Sequence, residues 1–379
     1  MAWADHQAHP DIWPHAHYSR LVQAGGIQWH VQQMGQGPCM LLLHGTGSGH
    51  FSWRGLMPAL AEHFLDYFSK RDGKAFSGLD ATAREAVRQQ LLRPVLASIS
   101  ATGVNDSQVP GLRLFRSDAP TSATPTIYQP TLCLLLQGSK QLLIGEEQLT
   151  YSELQYLLVP VLLPVSGKIV KASSQAPYLG LSIDLDLREL TELVIDLGDK
   201  VPRQRTPARG ISVGDADADI LSVFQRILQL LLQPADMAVL YPLLKRELLY
   251  RLLLSPLGSQ LREFTLLDSQ SNRISKVIEV LRKKYNEPLR IKDLADEVHL
   301  SESALFQAFK AVTGMSPLQY QKKLRLNEAR RIMLHEGIEA ATASYKVGYE
   351  SPSQFSREYS RLFGAPPKAD IERMRLQGS

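Results

Sequence analysis

Three features of this 379-residue sequence predict a multidomain α+β chain. The expected order is a short incomplete α/β segment, a β-barrel or sandwich with flanking helices, and an all-α double helix-turn-helix domain. First, the C-terminal stretch repeats one short pattern twice. Second, the middle holds short apolar segments spaced by Gly- and Pro-containing turns, the rhythm of an antiparallel sandwich or small barrel. Third, all four tryptophans (Trp3, Trp13, Trp29, Trp53) and eight of the ten histidines lie in the first 63 residues, and the next histidine is His299. That compositional seam places a junction near Phe64.

Residues 1–64 contain Gly35-Gln-Gly-Pro-Cys-Met-Leu-Leu-Leu-His-Gly-Thr-Gly47, which reads as a turn, an apolar strand and a glycine loop. Trp53 and a helix from Pro58 to Glu62 follow. Two glycine motifs fail on spacing: Gly45-Thr-Gly-Ser-Gly49 is not G-x-S-x-G, and His50 stands where G-x-G-x-x-G requires its third glycine. The stretch resembles the start of an α/β-hydrolase of the magnesium-chelatase-accessory type, which implies an oxyanion-type loop at His44-Gly45. An esterase using Ser48 or His44 is therefore the alternative function. It lacks the next parallel strand, the nucleophile elbow, and the later acid and histidine. No catalytic residue is assigned, the chain is read as a non-enzyme, and this α/β-hydrolase-like segment is expected to be dispensable. A fused gene, a misread start and an artificial junction all remain open as its origin.

Residues 65–267 form the middle unit. Leu79 to Ser98 has helical periodicity through Ala83, Val87, Leu91, Leu92 and Val95. Strands are expected at 112–115, 131–136, 140–144, 156–161, 168–171 and 178–183, with turns at Gln137-Gly-Ser-Lys140 and Gly145-Glu-Glu147. Ile220 to Leu254 reads as two apolar helices broken at Pro234. The strings Tyr128–Gly138, Leu163-Pro-Val-Ser-Gly167 and Ala176–Asp186 resemble the N-terminal sensor domain of one AraC subfamily. The resemblance implies a cupin-like β-barrel followed by a helical pair. With no histidine between His63 and His299, a histidine-based metal site is excluded here, and no cofactor is expected. A small-molecule sensor and a plain oligomerisation barrel both remain open. Arg116, Tyr128, Gln137 and Tyr178 are the candidate ligand-pocket residues, with structural hydrogen bonding as their alternative role.

Residues 268–379 carry the repeated pattern, at Ile291–Lys310 and Ala340–Tyr359. Leu294, Ala295 and Val298 share one helical face, and Ser301 caps a second helix that buries Leu305, Phe309 and Val312. In the second copy Ser351 is the cap and Pro352 the first helical residue, with Phe355, Tyr359 and Leu362 inward. Gly348 occupies the turn. His299 is its counterpart, a poorer choice if φ is positive. Pro317 to Glu336 reads as one amphipathic helix through Leu318, Leu324, Leu326, Ala329, Ile332 and Met333. Two helix-turn-helix units on one chain point to major-groove recognition of DNA.

From about Arg273 to Arg375 this stretch resembles the AraC/XylS transcription regulators. The likeness is carried by Thr313-Gly-Met-Ser-Pro-Leu-Gln-Tyr320, Leu324-Arg-Leu-Asn-Glu-Ala-Arg330, Gly348-Tyr-Glu-Ser-Pro-Ser-Gln-Phe-Ser-Arg357 and Phe363-Gly-Ala-Pro-Pro367. By position it implies base-reading roles for Ser303, Phe306 and Gln307, and for Pro352, Ser353, Gln354, Ser356 and Arg357. A guanidinium reads guanine bidentately and a glutamine amide reads adenine, so Arg357 leads and Gln307 and Gln354 follow. A phosphate contact is the alternative for Arg357. The implied partners are duplex DNA, a small-molecule effector, a second subunit, and RNA polymerase if the protein activates.

Charge agrees with that reading. Residues 273–379 hold 19 Lys/Arg against 13 Asp/Glu, a net of +6, whereas the whole chain carries +4. A basic end on a nearly neutral body suits phosphate binding. No eighteen-residue apolar run and no signal peptide are evident, so no membrane partner is expected. Cys39 and Cys133 lie far apart in apolar runs and read as buried reduced thiols, which fits a cytoplasmic location.

Overall fold

The computed structural model describes residues 19–24, 27–32, 81–201, 208–267 and 269–377. The chain divides into two compact units, Met1–Gly78 and Leu79–Ser379. In the first, β1 (Ser19–Ala24) and β2 (Ile27–Gln32) pair antiparallel, from Ser19 opposite Gln32 to Ala24 opposite Ile27. This hairpin was not among the expected elements. The expected strand at 40–43, the glycine loop at 45–49 and the helix at 58–62 lie outside the described residues, and with them the hydrolase resemblance.

The second unit opens with α1 (Ala81–Ser98). Nine strands follow: β3 (Gly103–Asp106), β4 (Leu112–Ser117), β5 (Thr124–Tyr128), β6 (Thr131–Gln137), β7 (Ser139–Ile144), β8 (Glu147–Ser152), β9 (Gln155–Val159), β10 (Leu163–Lys171) and β11 (Tyr178–Asp184). Next come α2 (Leu187–Leu197), β12 (Ser212–Asp215), α3 (Ala218–Gln229), α4 (Met237–Leu254) and α5 (Gly258–Glu263). The strands form a four-stranded sheet in the order β5-β10-β7-β8 and a six-stranded sheet in the order β12-β9-β6-β11-β4-β3. All pairs are antiparallel.

Side-chain alternation explains why β6 reads as an unbroken apolar run. Leu132, Leu134 and Leu136 belong to a core shared with Leu91 and Val95 of α1, Phe224 of α3 and Leu248 of α4. Leu135 and, partly, Cys133 face the other way, into a core shared with Leu142, Tyr151, Leu163 and Val165. A sheet covered on both faces needs apolar residues on both. The turn between β6 and β7 needs glycine: Gly138 has φ +92°, and a Cβ there would collide with the Lys171 carbonyl oxygen.

Seven helices complete the unit: α6 (Gln270–Lys283), α7 (Ile291–Glu297), α8 (Glu302–Thr313), α9 (Pro317–His335), α10 (Ala340–Lys346), α11 (Pro352–Phe363) and α12 (Pro367–Gln377). α7–α8 and α10–α11 are the two helix-turn-helix units, and α9 joins them. Most expected inward residues are buried, with two corrections. Leu318 is 60% exposed, and Tyr320 and Gln321 take the inner positions at that end of α9. In α11 it is Phe363 that is buried with Phe355 and Tyr359, while Leu362 is only half-buried.

The core of the first helix-turn-helix does not stop at residue 268. Leu294, Leu305, Phe309 and Val312 are continuous with Leu142, Ile144, Val161 and Leu162 of the barrel. Tyr320 Oη donates to the Leu162 carbonyl at 2.6 Å. The Gly210 amide donates to the Val312 carbonyl at 2.8 Å, and the Ala208 amide donates to Ser271 Oγ at 2.9 Å. The second helix-turn-helix has a separate core built from Leu326, Ile332, Met333, Ala343, Val347, Phe355, Tyr359 and Phe363.

Candidate nucleic-acid interface and barrel interior

Each recognition helix is begun and ended by local chemistry. Ser301 Oγ accepts from the Ala304 amide at 3.3 Å and begins α8. Gly314, with φ +72°, ends it. Ser351 Oγ accepts from the Gln354 amide at 3.4 Å, Pro352 takes the first helical position, and Gly364 at φ +76° closes α11. These caps satisfy backbone groups that a helix terminus leaves open. α9 begins with a full capping box between Ser316 and Gln319. Its 19 residues give it a length of about 28 Å. That is comparable with the rise of one duplex turn, about 34 Å.

The linking helix grips both units. Arg325 donates from Nε to the Tyr285 carbonyl at 2.7 Å, from Nη1 to the Gly348 carbonyl at 2.8 Å and from Nη2 to the Glu287 carbonyl at 2.8 Å. One guanidinium therefore joins the end of the first unit's supporting helix to the turn of the second. Further along α9, Arg330 pairs with the fully buried Asp370 of α12 at 2.8 Å and lies 4.4 Å from the centre of the Phe363 ring. Asp370 also accepts from Tyr359 Oη at 2.9 Å and from Arg373 at 2.6 Å. Burial, reinforced by that carboxylate, raises the Tyr359 phenol well above its ordinary value.

All eight expected base-reading residues lie on the two recognition helices. Ser303, Phe306 and Gln307 are exposed on α8, at spacings that keep them on one face, and Phe306 is 46% exposed. On α11, Ser353, Gln354 and Arg357 are exposed, and Pro352 and Ser356 are half-buried. Among the described residues Gln307 and Arg357 have no hydrogen-bond or ion-pair partner, so their polar heads are available. Gln354 differs. Its Nε2 donates to Glu358 Oε1 at 3.3 Å. Exposed Lys346, at the end of α10, lies 3.8 Å from Glu336. Sequence reasoning missed Glu358, which stands four residues after Gln354; that spacing alone was the available signal.

The barrel interior gathers only part of the expected pocket. Tyr128 and Tyr178 face the core between the sheets together with Tyr151, Cys133 and Lys140. Lys140 Nζ donates to Tyr128 Oη at 2.9 Å and lies 5.6 Å from that ring's centre. Burial raises the phenols of Tyr128, Tyr151 and Tyr178. Cys133 is a free thiol, half-buried rather than sealed, and burial pushes its ionisation up. Ser182 is 3% exposed, and its Oγ has no hydrogen-bond partner among the described residues. Arg116 and Gln137 lie elsewhere. Arg116 is held by Asp118 at 2.8 Å. Gln137 accepts from Arg88 at 3.1 Å and donates to the Pro177 carbonyl at 2.8 Å. Among the described residues no group of three or more His, Cys, Asp or Glu side chains is placed to hold a metal ion. Among them, too, no single helix is long and apolar enough to cross a membrane.

Comparison with known proteins follows the same division. A family profile described as "AraC-type transcriptional regulator N-terminus" matches residues 108–260, and a "Helix-turn-helix domain" profile matches residues 294–373. The lactose operon transcription activator of Staphylococcus xylosus is 26% identical over 96 residues, covering 25% of this chain and 34% of the relative. The RCS-specific HTH-type transcriptional activator RclR of Escherichia coli (strain K12) is 31% identical over 103 residues, covering 27% and 36%. The chain thus spans about a third of the length of these curated relatives. Among solved structures, ToxT from Vibrio cholerae O395 is 11% identical with a TM-score of 0.46, covering 69% of this chain and 97% of that one. The DNA-binding domain of AdpA in complex with a target DNA is 21% identical with a TM-score of 0.27, covering 28% and 95%. The chain thus carries, in that order on one polypeptide, a domain matching the AraC-type transcriptional regulator N-terminus and a helix-turn-helix domain.

Proposed function

We propose that this chain is a sequence-specific, non-catalytic DNA-binding regulator whose α8 and α11 enter successive major-groove segments. The observation that carries the proposal is Arg357: an exposed guanidinium with no internal partner among the described residues, on a helix capped at both ends. A rigid donor fork of that kind reads guanine O6 and N7. Gln307 and Phe306 supply an amide and an apolar edge on α8, and Ser303, Pro352, Ser353 and Ser356 flank the two reading faces. Exposed Lys310 and Arg361 serve the phosphates. In this reading the barrel is the regulatory half, taking a small-molecule effector where Lys140 meets Tyr128. Pairing with a second subunit and, for an activator, contact with RNA polymerase complete the role, which belongs in the cytoplasm.

The test uses the full chain and a site selected from randomised duplexes. Arg357→Ala is expected to cost about 1–3 kcal/mol at the selected site and to relax one base position, with non-specific affinity nearly unchanged. Equal loss on selected and unrelated duplexes would make Arg357 a phosphate contact. Binding by the unaltered protein should weaken steeply with added salt; salt-insensitive binding would refute the groove-binding mode.

A further inference from the structure

Glu358 is an unexpected residue at a DNA-reading surface, because a carboxylate there repels phosphates. It projects from α11 one turn after Gln354, and its side chain is only 16% exposed. Three donors converge on it. Lys322 Nζ of α9 is 2.9 Å from Oε1, Tyr349 Oη is 2.8 Å from Oε2, and Gln354 Nε2 is 3.3 Å from Oε1. Tyr349 is itself immobilised: it is 6% exposed, its ring packs edge-on against Phe355 at 5.4 Å, and the Arg325 guanidinium lies 5.9 Å from its centre. The carboxylate is therefore anchored to the turn of the second helix-turn-helix, not left free to follow solvent. Donation from Lys322, Tyr349 and Gln354 outweighs the effect of burial and holds it ionised below the usual range.

Two consequences follow for DNA reading. A carboxylate accepts only, so the Gln354 amide must turn its nitrogen toward Glu358 and its oxygen away. One N–H is engaged, and the other stays beside the oxygen, giving the donor-acceptor pair that matches adenine N7 and N6. A glutamine amide without such a partner can present either order. In addition, Lys322 is drawn onto Glu358 and away from the phosphates that would otherwise bind it without regard to sequence.

We propose that Glu358 is a positioning residue for base selection: it locks the amide orientation of Gln354 for adenine and restrains Lys322, lowering non-specific affinity while sharpening discrimination. The inference rests on the DNA-reading function proposed above.

The experiment selects sites from a pool of randomised duplexes with the full chain and with Glu358→Gln, Gln354→Ala and the double variant. It also measures binding to one fixed unrelated duplex across a salt series. Glu358→Gln should lower the adenine preference at a single position at least fivefold, leaving other positions as they were. On the unrelated duplex it should bind about threefold tighter, with a salt slope steeper by about 0.9 as Lys322 gains a phosphate. Gln354→Ala should lose preference at the same position, and adding Glu358→Gln to it should remove nothing more there. Glu358→Asp keeps the charge but withdraws it by one methylene. It should relax the adenine preference without tighter non-specific binding, and it serves if the glutamine variant does not fold. Equal loss at every position, an unchanged adenine preference, or a Glu358 effect on preference at that base position that persists without Gln354 would overturn the proposal. A parent chain with no base preference would instead refute the DNA-reading function itself.

Discussion

At the scale of single residues, polar groups are valuable here because of where their partners stand. Arg325 satisfies three backbone carbonyls from two different units at once. Lysine keeps the charge but cannot span that geometry, because its ammonium is a single compact donor centre. Hydrogen bonds involving a charged group contribute roughly 1.5–3 kcal/mol each. Arg325→Lys is therefore expected to destabilise by about 2 kcal/mol and Arg325→Ala by about 3–4 kcal/mol, measured as a fall in the urea midpoint at unchanged slope. A loss below about 0.5 kcal/mol for the alanine variant would mean that water replaces the guanidinium at no net cost.

At the scale of elements, the two helix-turn-helix turns solve one backbone problem differently. Gly348 has φ +88° and lies so close to the Asn286 carbonyl that no side chain fits. His299 occupies the corresponding turn at φ +54° with a full side chain. A left-handed conformation costs an L-residue about 1–2 kcal/mol, and glycine's extra freedom in the unfolded chain returns part of that. His299→Gly should accordingly stabilise the protein by about 0.5–1 kcal/mol, whereas Gly348→Ala should destabilise it by more than His299→Gly gains. Thermal unfolding of the two variants beside the parent checks both signs, and a less stable His299→Gly would show that the imidazole earns its position through contacts.

Across the whole molecule, the barrel and the first reading unit share one core, while the second keeps its own. Coupling of the barrel to DNA reading should therefore pass through α8 and α9 first. Gly210 is one close approach: a Cβ there would lie 2.8 Å from the Val312 carbonyl and 3.0 Å from Val161 Cγ2. Gly210→Val is expected to wedge the two apart. Calorimetry should then resolve separate transitions for barrel and helical domain where the parent shows one. A single transition at the parent temperature would mean that this contact carries no coupling.

Much of this arrangement is written locally. Ser301, Ser351, Pro352 and Gly348 act within one helical turn of themselves, so caps and turns were readable from their neighbours. Periodicity likewise exposed the inward faces of α7 and α8, and of α11 except that Phe363 rather than Leu362 is buried, and the doubly covered β6 betrayed itself as an unbroken apolar run. The strands β3, β5, β8 and β12 did not, because Gly103-Val-Asn-Asp106, Thr124-Pro-Thr-Ile-Tyr128, Glu147-Gln-Leu-Thr-Tyr-Ser152 and Ser212-Val-Gly-Asp215 have largely exposed or half-buried side chains and little apolar pattern. Leu318 misled for the opposite reason: an apolar residue at helical spacing was left facing solvent when Tyr320 reached the barrel instead. Which polar heads remain available was decided only by packing. Lys322 meets Glu358 across 36 residues of sequence, and Tyr320 meets the Leu162 carbonyl across 158. By itself the sequence determined the two helix-turn-helix units and their caps, because those depend on neighbours a few residues away. Tertiary structure alone decided that Arg357 is unengaged, that Lys322 reaches Glu358 and that one core crosses from the barrel to the first helix-turn-helix. Those outcomes depend on distant segments meeting in space, and no local pattern encodes that meeting.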